Sequence, residues 1–154
     1  VLEIHPAFRI AGHLLRRTFQ AHDAIFARET AAYDITSPQL ATLTAISLWP
    51  GIELTRLTGI IGYDGATLSG LVNRLIAKKL VRRVVGKQDR RTRQLFLTAR
   101  GVDVLAQVRP AAENAMDVLL APLNAVEREL FLQMMERIIG HAASRGETTA
   151  GEVA

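Results

Sequence analysis

Between Leu54 and Gly101 the apolar pattern of the chain switches from a helical to an alternating period, so helices must hand over to paired strands within a few residues. A short helix is predicted from Leu54 to Ile61. It ends at Gly62, and Asp64 two residues later is a good cap for another helix. In that second helix Leu68, Leu71, Val72, Leu75 and Ile76 fall on one face, and Ala66, Ser69, Gly70 and Asn73 fall on the other. Two helices joined by a glycine turn, the second apolar on one side and small or polar on the other, form a helix-turn-helix pattern, which other helical hairpins share. The residues that follow narrow the choice. Two short apolar segments, one with Val81, Val84 and Val85 and one with Leu95, Phe96 and Leu97, flank a turn over residues 86–92. A helix-turn-helix followed by a two-stranded ribbon is a winged helix.

The charge follows the same segment. From Arg74 to Arg100 there are ten basic residues (Arg74, Lys78, Lys79, Arg82, Arg83, Lys87, Arg90, Arg91, Arg93 and Arg100) against the single acid Asp89, whereas the rest of the chain holds nine basic and fourteen acidic residues. Solvated faces normally mix the two signs, so a one-sign segment on an acidic body points to a polyanionic partner. Double-stranded DNA fits best: the second helix suits a major groove, and arginines at the ribbon tip suit a narrow minor groove of enhanced negative potential. Other chemistries find no support. The chain has no cysteine, which removes disulfides, thiolate nucleophiles and cysteine-bearing zinc sites. Its four histidines, His5, His13, His22 and His141, show no ligand spacing such as His-Glu-x-x-His, and there is neither a phosphate-cradling glycine loop nor a nucleophile elbow. No enzyme activity, metal or cofactor is expected. No run approaches the roughly 20 apolar residues of a membrane span, and no leader pattern is recognised, so a soluble cytoplasmic protein without membrane contact is expected.

Helices flank this core. From Pro6 to Tyr33 the arc of Ala11, Leu14, Leu15, Thr18, Phe19, Ile25 and Phe26 predicts one amphipathic helix. Ser37 and Pro38 read as cap and first helical residue of a helix through Leu40, Leu43, Ile46 and Leu48 that stops at Trp49-Pro50-Gly51. After Thr98 a stripe of Val102, Leu105, Val108, Ala112, Ala115, Met116 and Leu119 predicts a further helix, kinked or broken at Pro110. Asn124 and Glu127 form a capping box for a last helix carrying Leu130, Phe131, Met134, Met135 and Ile138. The expected fold is mainly α: a winged helix-turn-helix core over residues 35–100 with a small β-hairpin wing, long helices over 6–33 and 99–144 forming a dimerisation region, and a mobile tail over 145–154, all in one domain of 1–154. The outer helices carry more apolar surface than such a core needs, so a homodimer is expected in preference to packing within one chain alone.

The stretch from Leu54 to Gly101 resembles the core of MarR-type regulators, with its Asp-capped second helix, Asp89-x-Arg91 in the wing, and Leu97-Thr98 with Gly101 after it. The flanking helices extend the resemblance over nearly the whole chain. It implies a homodimeric transcriptional regulator, usually a repressor of a near-palindromic operator, released by a small aromatic or phenolic acid. The alternative is an architectural DNA-binding protein without an effector. By match to the family pattern Arg91 would enter the minor groove, steadied through Asp89, with Arg90 and Arg93 as substitutes. Thr67, Ser69 and Asn73 would face the major groove. Gly65 and Gly70 depart from the pattern, because basic residues are common there; either the operator is read through fewer major-groove side chains or the glycines permit closer backbone approach, and Gly70 weakens its helix by about 1 kcal/mol relative to Ala. Arg74, Lys78 and Lys79 are candidates for phosphate contact, with an intramolecular salt bridge as the alternative for Arg74. For the effector, helical phase places His22 on the arc expected to be buried, where an imidazole either is structural or orients an anionic aromatic ligand against Phe19, Phe26 or Trp49. Trp49 itself reads as core or pocket wall. His13 and Arg16 belong to a polar stripe with His5 and Arg9 that reads first as a solvent or dimer contact and second as effector-binding.

Overall fold

The computed structural model describes residues 5–86 and 92–146. The parts of the wing tip containing Lys87, Asp89, Arg90 and Arg91, and the tail from residue 147, lie outside the described residues. A 3-10 turn at Pro6–Phe8 precedes α1 (Ala11–Glu29) and another at Ala31–Tyr33 follows it; then come α2 (Ser37–Leu48), β1 (Ile52–Glu53), α3 (Leu54–Ile61), α4 (Gly65–Ala77), β2 (Val81–Val85), β3 (Arg93–Leu97), α5 (Ala99–Leu119) and α6 (Ala125–Ser144).

The first helix does not run from Pro6: Ile10 is extended (φ −99°, ψ 139°), and α1 starts at the next residue. At α2 the cap is Thr36, one residue before the expected Ser37. The reason is the capping box. Gln39 stands three residues after Thr36 and its Oε1 accepts from the Thr36 amide at 3.1 Å, whereas the residue three after Ser37 is the apolar Leu40. Pro38 remains in the first turn, where its missing N–H costs nothing. Pro110 does not break α5, which is continuous from Ala99 to Leu119; the residue is exposed, so the carbonyl it leaves unpaired can turn to water.

Gly62 ends α3 in the left-handed region at φ 77°, and Asp64 caps α4, its Oδ1 accepting from the Thr67 amide at 2.9 Å and its Oδ2 from the Thr67 hydroxyl at 2.6 Å. The sheet has three strands, not the expected two, in the order β1-β3-β2 and antiparallel throughout. Two residues are too few to show alternation, which is why β1 escapes a reading by period. Its Ile52 pairs with Leu95, while Val81, Arg83 and Val85 of β2 pair with Leu97, Leu95 and Arg93.

The core lies under this sheet. Leu43 and Ile46 of α2, Leu57 of α3, Leu68, Val72 and Leu75 of α4, Leu95 of β3 and Val108 of α5 are all buried to 1% exposure or less, each contributing about 1.5–3 kcal/mol of burial. Thr98 caps α5 by accepting from the Gly101 amide at 3.0 Å and donates to the Lys79 carbonyl at 2.7 Å. Gly101 itself passes so close to the preceding turn that a Cβ would sit 2.1 Å from the Leu80 carbonyl oxygen.

Outside that core α1 packs along α5. Asn114 of α5 donates to Glu29 of α1 at 2.8 Å. Arg128 locks the corner between α5 and α6, with Nε donating to the Leu120 and Leu123 carbonyls at 3.1 Å each and Nη1 to Asp117 at 3.0 Å. Yet α6 has no buried residue, and Val126, Leu130, Met134 and Ile138, spaced four apart, are 77%, 49%, 46% and 56% exposed. Of the arc expected to be buried on α1 only Phe26 is; Leu15 and Phe19 are open. No helix among the described residues is long and apolar enough to cross a membrane.

Candidate nucleic-acid interface and ligand pocket

The outer face of α4 is built from small side chains by its packing phase. With Leu68, Leu71, Val72 and Leu75 turned inward, Ala66, Thr67, Asn73 and Arg74 are exposed and Ser69 and Gly70 half-buried. Thr67 has already donated its hydroxyl hydrogen to Asp64, so it offers an outside partner its methyl group and the lone pairs of its oxygen. These hydrogen bonds, hydroxyl first and amide second, hold the Asp64 carboxyl below its usual range. A Cβ on Gly70 would meet only the Arg74 guanidinium, at 3.8 Å. Among the described residues no ion pair to Arg74 is seen, so the salt-bridge alternative gains no support.

Lys78 is different. Its ammonium pairs with Asp34 Oδ2 at 2.9 Å and also donates to the Asp34 main-chain carbonyl, tying the end of α4 to the linker between α1 and α2. That tie makes Lys78 a brace before it is a phosphate contact. Its partner, 44 residues away, is one that the sequence did not suggest.

In the hairpin the two-residue period sends neighbouring arginines to opposite faces. Arg82 lies with its guanidinium 4.6 Å from the centre of the Phe96 ring, on the outer face. Arg83 emerges toward α4, where its Nη2 donates to Asn73 Oδ1 at 3.1 Å. Arg93, at the start of β3, is exposed, and its Nη1 reaches the Thr92 carbonyl at 3.2 Å. Arg74 and Arg83 therefore bring positive charge to the small-residue face of α4, and Arg82 and Arg93 add to the charge of the hairpin.

A cavity of about 450 Å³ opens where α1, α2, α3 and α5 meet, lined by His22 and Phe26, by Thr44, Leu48 and Trp49, by Ile60 and Ile61, and by Ala112 and Met116 among others. The sequence grouped His22, Phe26 and Trp49 around a possible ligand, and the fold brings all three to the lining of this cavity. The His22 ring stacks between Phe19 (6.1 Å, 29°) and Phe26 (5.9 Å, 39°), with its side chain 20% exposed. Its Nδ1 lies 3.2 Å from Asp23 Oδ1; a carboxylate only accepts, so Nδ1 donates and Nε2 is left for another partner. Ser37 and Thr44 add hydroxyls to walls otherwise mostly apolar.

Three residues considered for effector contact lie outside this cavity. Phe19 backs His22 from outside and is 55% exposed, so it does not line this cavity. Arg16 is exposed and absent from its wall, because its helical phase faces away from α2. His13 lines a separate cleft of about 820 Å³ between the start of α1 and the α5–α6 corner, beside Phe8, Arg17 and Phe131. The residues that the sequence missed include Ile60, Ile61, Ala112 and Met116; they are ordinary apolar residues, and only the packing of four helices reveals them.

Fold and surface together define a winged helix-turn-helix protein with a basic face and an apolar cavity behind it. Comparison with known proteins makes the assignment specific. The MarR family matches over residues 33–92. The transcriptional regulator HosA of Escherichia coli is 37% identical over 129 residues, covering 84% of this chain and 94% of HosA. The transcriptional repressor NicR of Pseudomonas putida is 33% identical over 135 residues, covering 88% and 85%. Among solved structures, BpsR of Bordetella bronchiseptica, whose DNA binding is regulated by 6-hydroxynicotinic acid, matches with a TM-score of 0.82 at 29% identity, covering 88% of this chain and 96% of that one. The chain belongs to the MarR family of transcriptional regulators.

Proposed function

We propose that this regulator is a homodimeric repressor whose two winged domains, residues 35–100, bind a near-palindromic operator, and that a small aromatic acid in the 450 Å³ cavity releases it. The observation that carries the reading is the position of the cavity. It lies between α1 and α5 on one side and α2 and α3 of the winged domain on the other, so an occupant acts on the angle between the two parts. Its chemistry suits a flat apolar ring with one polar end: aromatic and aliphatic walls, two hydroxyls, and the Nε2 of His22, which accepts from a phenol when the imidazole is neutral and donates to a carboxylate when it is protonated. The regulation of BpsR by 6-hydroxynicotinic acid supports this class of ligand.

DNA contact follows from the α4 face. Thr67, Ser69, Gly70 and Asn73 meet base edges, Arg74 and the wing arginines meet phosphate or the minor groove, and Lys78 reaches phosphate only by leaving Asp34. The exposed stripe of α6, with Leu15 and Phe19 of α1 and the cleft beside His13, forms the surface a second copy covers. Residues 6–33 and 99–144 are then the dimerisation region. The test is a titration of operator-bound protein, obtained by selection from random duplexes, with 6-hydroxynicotinic and other aromatic acids. Release by at least one acid at a concentration that also raises the melting temperature of the free protein supports the reading; stable DNA complexes that no such acid dissociates would favour an architectural role instead.

A further inference from the structure

The outer face of α4 carries few groups that can distinguish one base from another. Ala66 and Gly70 have no hydrogen-bonding side chain, and the Thr67 hydroxyl is committed to Asp64. Asn73 is the one carboxamide on that face, and its partner is the guanidinium of Arg83 at 3.1 Å. A guanidinium only donates, so the carboxamide oxygen must face the wing, and the Nδ2 hydrogens are the groups left to face outward. Strand register makes the arrangement repeatable. Arg83 shares a face with buried Val81 and pairs across the sheet with buried Leu95, so β2 aims it at α4, while Arg82 on the opposite face is engaged with Phe96.

An asparagine free to turn reads adenine with both ends of its amide, accepting from N6 and donating to N7. With the oxygen engaged, the acceptor half of that pattern is weakened and the donor half remains. Guanine presents two adjacent acceptors, O6 and N7, and no major-groove donor. We propose that Arg83 is a positioning residue for base recognition: it turns Asn73 so that the recognition helix selects guanine over adenine at one position of each half-site. This rests on the reading of α4 as the helix that enters the major groove.

The experiment is in vitro selection from a randomised duplex pool with the full chain, using wild type, N73A, R83M and the double variant, followed by affinity and salt-dependence measurements on the selected sequences. Both side chains are exposed, and a thermal melt of each variant verifies folding. Wild type is expected to enrich a guanine at one position per half-site, preferred roughly 5- to 150-fold over adenine. R83M and N73A should each flatten that position while leaving the others sharp, and the double variant should flatten it no further. If R83M instead weakens all sequences equally and lowers the salt slope by about one phosphate, Arg83 is a backbone contact and the proposal is overturned. Enrichment of adenine at the position that N73A flattens overturns it as well. A wild-type protein that enriches no sequence overturns both this proposal and the regulatory reading beneath it, whereas sharp enrichment that neither variant changes removes the proposal alone.

Discussion

Two glycines in the same domain do opposite things, and the contacts around each decide which. At Gly101 a methyl group would meet the Leu80 carbonyl oxygen at 2.1 Å, and backbone cannot move aside as a side chain can. Gly101→Ala should therefore lower stability by about 1–3 kcal/mol or more, measured as a shift of the urea midpoint at unchanged m-value. At Gly70 the same methyl would meet only the Arg74 guanidinium at 3.8 Å. Gly70→Ala should raise stability by up to about 1 kcal/mol, and if the glycine serves close approach of α4 to DNA it should weaken operator binding at the same time. A variant that melts higher and binds equally well would show that Gly70 has no role at the groove. Gly101 was visible in the sequence as part of a family pattern, but its reason was not, because a helix passing close to a distant carbonyl leaves no local mark. Lys78 teaches the same lesson. Nothing near it in sequence announces Asp34, and a run of cations read as one surface turns out to include a brace.

Helix ends were legible wherever a side chain supplies the missing partner. Gly62, Asp64, Thr98 and the Asn124–Glu127 box all cap helices as the sequence indicates, while α2 is capped by Thr36, not Ser37, because Thr36 has a glutamine at the third position after it. Elements without such chemistry were harder to read: β1 has two residues, and Pro110 sits on an exposed face that lets the helix continue. Pro110→Ala should accordingly stabilise α5, by at most about 3 kcal/mol, without altering its length by circular dichroism. The cap of α4 carries a pH signature. Since the Asp64 carboxyl titrates below its ordinary range, its contribution to stability is complete above the unfolded-state value and is lost as pH falls through the lower folded-state value. Glu29, held down first by Arg28 and then by Asn114, acts in the same direction for the junction of α1 and α5. Asp64→Asn keeps a capping side chain but cannot titrate, so its melting temperature should fall less than that of wild type between pH 5 and pH 3. Parallel acid limbs for the two proteins would assign the loss to other carboxylates.

On the scale of the whole molecule, the proposed switch depends on geometry that one chain does not hold alone. Two recognition helices must lie about one DNA turn apart, roughly 34 Å, to enter successive major grooves, and in the proposed dimer the packing of α1, α5 and α6 against a second copy would set that spacing. The apolar stripe of α6 is the accessible lever: Leu130→Glu or Ile138→Glu, at positions 49% and 56% exposed, should leave the winged core folded yet yield a monomer in sedimentation and lose most operator affinity. In the proposed switch a ligand would act on the same spacing from the other side. It can release DNA only by binding better to a dimer whose helices are misplaced, and each tenfold preference for that state weakens operator binding at most tenfold at saturation. The cavity is suited to this because its walls belong to both parts: His22, Phe26, Ala112 and Met116 to the outer helices, Leu48, Trp49, Ile60 and Ile61 to the winged domain. Within it His22 is the polar group whose loss should matter most. Its Nδ1 is engaged with Asp23, and a ligand carboxylate or hydroxyl that pairs with Nε2 would gain roughly 1–3 kcal/mol, or about 5- to 150-fold in affinity. His22→Ala should therefore keep its fold and its operator affinity but require that much more aromatic acid for release, while Trp49→Ala should weaken the same ligand through lost apolar contact. Measured by titrating each acid into operator-bound wild type and variant, an unchanged midpoint for His22→Ala would mean that the imidazole serves only to pack Phe19 on Phe26, and that the polar end of the effector is held by Ser37 or Thr44 instead.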